Sequence, residues 1–151
     1  MDESGSKSKR PSAANSASKQ PDPSVFFLDR SLGKKILSGI LKQNNLQVEV
    51  HDDHFPVDAR DEEWLTGVGK KGWIVVTKDQ RIRNRRNELA ALLRNGVRAF
   101  AFTRGSLTAE EMASIFLSAL PKIRRLLRAD EGPFIATISR GGEVTRLSTS
   151  Q

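Results

Sequence analysis

Two apolar runs, each stopped by an aspartate, constrain this chain more than any other feature. They are Val25-Phe26-Phe27-Leu28-Asp29 and Trp73-Ile74-Val75-Val76-Thr77-Lys78-Asp79. Continuous runs of large apolar residues read as strands buried on both faces, which is the habit of parallel sheets. Parallel strands need crossover helices between them, and ligands collect beyond their carboxyl ends. Asp29 and Asp79 are therefore expected side by side at one sheet edge. Two carboxylates ~5 Å apart at an effective dielectric near 20 repel by roughly 3 kcal/mol. A divalent cation is the usual way to offset that.

The rest of the pattern alternates in the same sense. Ser31 is placed to cap a helix to about residue 44, with Leu32, Ile36, Leu37, Ile40 and Leu41 on one face. Leu46, Val48 and Val50 mark a second strand. Asp61-Glu62-Glu63 opens a helix with acids in its first turn, and Gly69 to Gly72 ends it. Residues 73–77 form the third strand. A helix over 84–95 buries Leu89, Ala90, Leu92 and Leu93, with Gly96 as its stop. Residues 97–102 form the fourth strand, and Thr108-Ala109-Glu110-Glu111 is a capping box for a helix to about 128. The order predicts a three-layer α/β/α sandwich around a central, mainly parallel sheet. Arg140-Gly141-Gly142 joins two short runs into a C-terminal β-hairpin, expected as an appended antiparallel ribbon.

Composition sets the boundaries. The 151 residues suit one domain over 25–129, followed by the hairpin and a tail over 130–151. Residues 1–24 have no large apolar side chain after Met1 and are expected to be a disordered polar, basic tail. There is no cysteine, so disulfides and thiolate zinc sites are excluded. No apolar run approaches a membrane span and no signal core opens the chain, so no membrane role and a cytoplasmic setting are expected.

The charges are segregated. Seven acids lie between Glu49 and Glu63, among them Asp52, Asp53, Asp61 and Glu62. Asp53 follows the second strand and Asp61 begins the next helix, so both fall near the edge that holds Asp29 and Asp79. Oxygen-only ligands suit magnesium or manganese. His51 and His54 lack the further soft ligands that zinc would want. Beyond Asp79 the sign inverts. Lys78, Arg81, Arg83, Arg85 and Arg86 face few acids, and the net charge is +7. An acidic pocket beside a basic rim is what a metal-dependent nuclease requires. Ser31 and Thr77 are placed to hydrogen-bond a phosphate or a carboxylate. Trp64 and Trp73 are expected to pack in the core rather than stack on bases.

The strings Phe26-Phe27-Leu28-Asp29-Arg30-Ser31-Leu32-Gly33, His51-Asp52-Asp53, Asp61-Glu62-Glu63-Trp64 and Gly72-Trp73-Ile74-Val75-Val76-Thr77-Lys78-Asp79 resemble a compact branch of the PIN-like domains, which includes VapC-type toxins. The resemblance spans roughly residues 25–125. It implies a PIN-type sandwich, magnesium- or manganese-dependent ribonuclease activity on RNA, a small antitoxin partner and a tendency to dimerise. By position it makes Asp29, Asp61 and Asp79 the catalytic acids. Asp29 and Asp79 would hold the metal directly, and Asp61 or Glu62 would act through water. Asp53 and Glu62 are the alternatives for the acid of a longer helical insert that this branch lacks. The rival reading is a non-catalytic nucleic-acid-binding module that uses the basic 78–98 segment. A phosphate-accepting receiver domain would want adjacent acids after strand one, and Asp29-Arg30 does not supply them.

Overall fold

A computed structural model describes residues 24–33, 35–79, 85–103 and 106–147 of the protein. The expected tail therefore lies outside the described residues except for Ser24. Among the described residues, six strands and four α-helices follow in the order β1 (Val25–Leu28), α1 (Ile36–Gln43), β2 (Gln47–Val50), α2 (Asp61–Lys71), β3 (Ile74–Thr77), α3 (Arg86–Arg94), β4 (Arg98–Phe102), α4 (Ala109–Ala129), β5 (Phe134–Ile138) and β6 (Val144–Arg146). Short 3₁₀ turns follow β1 and β2. The strands form one sheet in the order β2-β1-β3-β4-β5-β6. All neighbours are parallel except β5 and β6.

The expected α/β/α sandwich follows from strand alternation, because successive side chains leave opposite faces of a sheet. Phe26, Leu28, Ile74, Val76, Phe100 and Phe102 pack with Leu37 and Leu41 of α1 and Phe116 and Ile123 of α4. Phe27, Val75, Ala99 and Ile135 pack with Trp64, Leu65 and Val68 of α2 and Ala91 and Leu92 of α3. Full burial stabilises each large apolar side chain by about 1.5–3 kcal/mol relative to exposure. Both strand-one phenylalanines are buried, one in each core. Trp64 and Trp73 stack on Phe27, at centroid separations of 5.6 and 5.9 Å, as core residues.

Three local expectations are corrected. Ser31 does not cap α1. It sits in the 3₁₀ turn Arg30–Leu32, whose cap is Asp29. Gly33 then takes φ 78°, a conformation that side chains resist, and α1 begins only at Ile36. Leu37 and Leu41 face inward as expected, but Ile36 is exposed. Second, within the stretch Gly69 to Gly72 expected to end α2, Gly72 is the left-handed stop, and the helix runs through Gly69 to Lys71. A Cβ on Gly69 would lie 2.6 Å from the Asn95 carbonyl oxygen, so its absence lets α2 approach the end of α3. Third, the hairpin forms, but it is no appendage. β5 pairs in parallel with β4 along its whole length, and β6 returns beside it as the sheet edge. The capping box at Thr108 and Glu111 forms in both directions, at 3.0 and 2.8 Å. Among the described residues no helix is long and apolar enough to cross a membrane.

Gly39 and Gly69, both inside helices, make opposite predictions. Gly39 has open space where a Cβ would go, so Gly39→Ala should stabilise the protein by about 0.5–1 kcal/mol. Gly69→Ala should instead destabilise it by about 1–3 kcal/mol through overpacking. Urea unfolding of both variants checks this, and equal effects would refute the close approach.

Candidate active site

The chain leaves β1 towards β2 on one side, then returns to place β3 on the other side of β1. In open α/β sheets that reversal opens a crevice beyond the strand ends, where ligands bind. Phe26, Phe27 and Leu28 pair with Ile74, Val75 and Val76, and the Asp29 N–H then donates to the Val76 carbonyl at 3.1 Å. Asp29 and Asp79 therefore emerge from adjacent strands.

Asp29 is the buried acid of the pair, only 8% exposed. Its Oδ1 accepts from the Ser31 N–H at 2.9 Å and from the Ser31 hydroxyl at 2.5 Å. Its Oδ2 accepts from the Thr77 hydroxyl at 2.5 Å. Each hydroxyl spends its proton on Asp29 and accepts a backbone N–H in return. Ser31 Oγ accepts from Lys78 at 3.2 Å, and Thr77 Oγ1 accepts from Asp79 at 2.9 Å. The two side chains thus tie the end of β1 to the end of β3 through one carboxylate. Burial pushes the Asp29 carboxyl above the ordinary aspartate value of 3.8. The hydrogen bonds from Ser31 and Thr77 oppose that rise, and the charge of Asp79 adds to it.

Asp61 is the first residue of α2, and its Oδ1 accepts from the Trp64 indole N–H at 2.8 Å. The packing of Trp64 against Phe27 thereby fixes the carboxylate from behind. Arg85 joins the acids. Its Nη1 lies 3.3 Å from Asp79, 3.9 Å from Asp61 and 3.1 Å from Glu88. Glu88 is a buried acid in the first turn of α3 that does not figure among the expected site residues. A signal existed: Glu88 stands three and four residues before Ala91 and Leu92, so it continues the buried stripe of α3.

The other expected residues fall around this centre. Glu62 is half-buried and faces Arg60 at 3.4 Å. Asp53 is exposed on the 3₁₀ turn after β2. Lys78 is half-buried beside Ser31, and Arg86 is exposed at the start of α3. Arg81 and Arg83 lie outside the described residues. The two histidines part company. His51 is buried and pairs with Asp52 at 3.0 Å, while His54 meets Glu49 at 2.7 Å.

Among the described residues no three acid or histidine side chains are gathered tightly enough to hold a metal ion. The donors are carboxylate oxygens only, which suits a hard divalent cation. Their spacing is that of a guanidinium contact, 3.1–3.9 Å from Arg85 Nη1, where magnesium would draw its oxygens to about 2.0–2.1 Å. The set therefore fits such an ion in chemistry.

A family described as "PIN like domain" matches residues 24–104, the span that carries Asp29, Asp61, Asp79 and Glu88. A protein of Mycobacterium tuberculosis (strain ATCC 25618 / H37Rv) named "Putative ribonuclease VapC45" is 30% identical over 129 residues, covering 79% of this chain and 93% of that protein. No solved structure matches the chain significantly. The acids that end β1 and follow β3 lie within the matched span, and the chain belongs to the PIN-like domain family.

Proposed function

We propose that this protein is a metal-dependent endoribonuclease that uses magnesium or manganese and acts in the cytoplasm as the toxin of a toxin–antitoxin pair. The observation that carries this reading is the Asp29 carboxylate, buried at the switch point and held by Ser31 and Thr77 beside Asp79. A protein has little structural reason to bury a carboxylate there, since burial disfavours its charged form. The name of the mycobacterial relative and the general use of divalent metals by PIN-domain ribonucleases support the same reading.

Asp29 and Asp79 would hold the ion directly, and Asp61 would hold a ligated water or orient the nucleophile. The ion, when bound, supplies charge neutralisation and an acidified water for attack at phosphorus. Ser31 and Thr77 fix the Asp29 oxygens by donating to both, so the carboxylate does not have to reorganise. Lys78 and Arg86 on the rim would hold the backbone phosphates that flank the scissile bond, with Arg81 and Arg83 as further candidates. A small antitoxin would silence the enzyme by covering this edge.

Cleavage of a mixed RNA pool with magnesium, manganese or chelator tests the reading. Asp29→Asn and Asp79→Asn should each lower cleavage by more than ~100-fold, and Ser31→Ala and Thr77→Val by about 10–100-fold as outer-sphere losses. RNA binding should persist in all four. Metal-loaded wild type that binds RNA, is free of inhibitor and does not cut it would point to a binding module instead.

Asp29→Asn also has a stability signature in chelator. A raised carboxyl pKa means that the wild type loses stability as pH climbs from below 3.8 through the folded-state value. The asparagine variant lacks that loss. It should melt close to wild type near pH 3 and above it at pH 7. Parallel melting curves at both pH values would contradict the burial of that charge.

A further inference from the structure

Arg85 is the unusual member of the acid cluster. Three carboxylates from three elements share its one Nη1 nitrogen: Asp61 of α2, Asp79 after β3 and Glu88 of α3. We propose that Arg85 is the resident counter-cation of the site, and that a divalent ion enters by displacing its guanidinium. This rests on the metal-dependent reading above and adds to it a competitor built into the chain.

Charge makes such an occupant necessary. Glu88 is only 8% exposed, and a buried carboxylate without a partner is strongly unfavourable. Both of its oxygens accept from Arg85 Nη1, at 3.3 and 3.1 Å. In the metal-free protein the guanidinium therefore neutralises Glu88 and softens the repulsion between Asp79 and Asp61.

Geometry makes the occupant displaceable. An arginine bound for good usually presents its planar fork to one carboxylate, in two parallel bonds of about 2.7–2.9 Å. Arg85 instead spreads one nitrogen over several contacts of 3.1–3.9 Å. A doubly charged ion has the stronger claim on the Asp79 carboxylate, with Asp61 engaged through water. The side chain also has somewhere to go. Arg85 borders a cavity of about 380 Å³ whose lining includes Glu62. Glu62 already faces Arg60 at 3.4 Å, so the displaced guanidinium would share that carboxylate with Arg60. A second place for Arg85 in that cavity, with the ion binding only when the guanidinium is there, makes metal uptake a population shift.

Manganese titration calorimetry on the chelator-treated full-length protein tests this, with Asp79→Asn marking the site. Arg85→Gln should bind Mn²⁺ about 5–150-fold more tightly than wild type, the usual span of coupled equilibria. Its metal-free melting temperature should fall, and Mn²⁺ should restore it. Equal or weaker Mn²⁺ binding by Arg85→Gln would overturn the displacement. Asp79-dependent binding to wild type would then leave the metalloenzyme reading intact. Absence of Asp79-dependent binding in both proteins would overturn the two together. A second measurement does not depend on Arg85→Gln folding. The Arg85 Nε–Hε resonance of wild type, assigned by its loss in Arg85→Lys, should shift on Mg²⁺ saturation as the guanidinium leaves Glu88. A resonance that stays in place would overturn the proposal.

Discussion

A single carboxylate, buried where two parallel strands end, governs the arrangement of this protein. Asp29 loses most of its water, and the fold replaces it with two hydroxyls and a backbone N–H. Those donors come from both strands, so the carboxylate is satisfied only while β1 and β3 stay in register. The sheet order, the break at Gly33 and the placement of Thr77 all serve that one group. Because Ser31 and Thr77 also accept the N–H groups of Lys78 and Asp79, holding the acid also shapes the loop that follows β3.

Much of this is legible before any coordinates. Apolar runs that stop at aspartate announce both the parallel strands and the edge where they end, because burial on both faces and a polar terminus leave few alternatives. The alternation of strands and helices yields the three layers. What escapes is decided by tertiary contact. Ser31 has the chemistry of a helix cap, and only the proximity of Asp29 and Thr77 reveals that its hydroxyl is engaged elsewhere. Gly69 has the look of a helix stop, and only the neighbouring end of α3 explains why a glycine belongs inside α2. Local propensity cannot register a neighbour that is distant in sequence.

Glu88 and Arg85 show the same limit within the site. In a run of arginines, a lone glutamate reads as a surface charge and the arginines read as a surface for phosphate. Among the described residues, the fold turns Glu88 and Arg85 towards the acids. Helix periodicity carries the glutamate into the core side of α3, and the extended backbone at Arg85, φ −93° and ψ 110°, places the arginine across its mouth. The basic character of the segment therefore divides into two uses. Among the described residues, Arg85 meets the acids, while Arg86 faces the solvent.

The hydrogen bond from Trp64 to Asp61 has an optical consequence. The chain contains two tryptophans and no tyrosine, so its near-ultraviolet emission belongs almost wholly to Trp64 and Trp73. Both rings stack on Phe27, and one of them holds a carboxylate of the acidic edge by its N–H. An indole's emission responds to charge and hydrogen bonding at that nitrogen. The protein thus carries its own lamp at the rim of its site, and whatever alters the charge on Asp61 will alter the light.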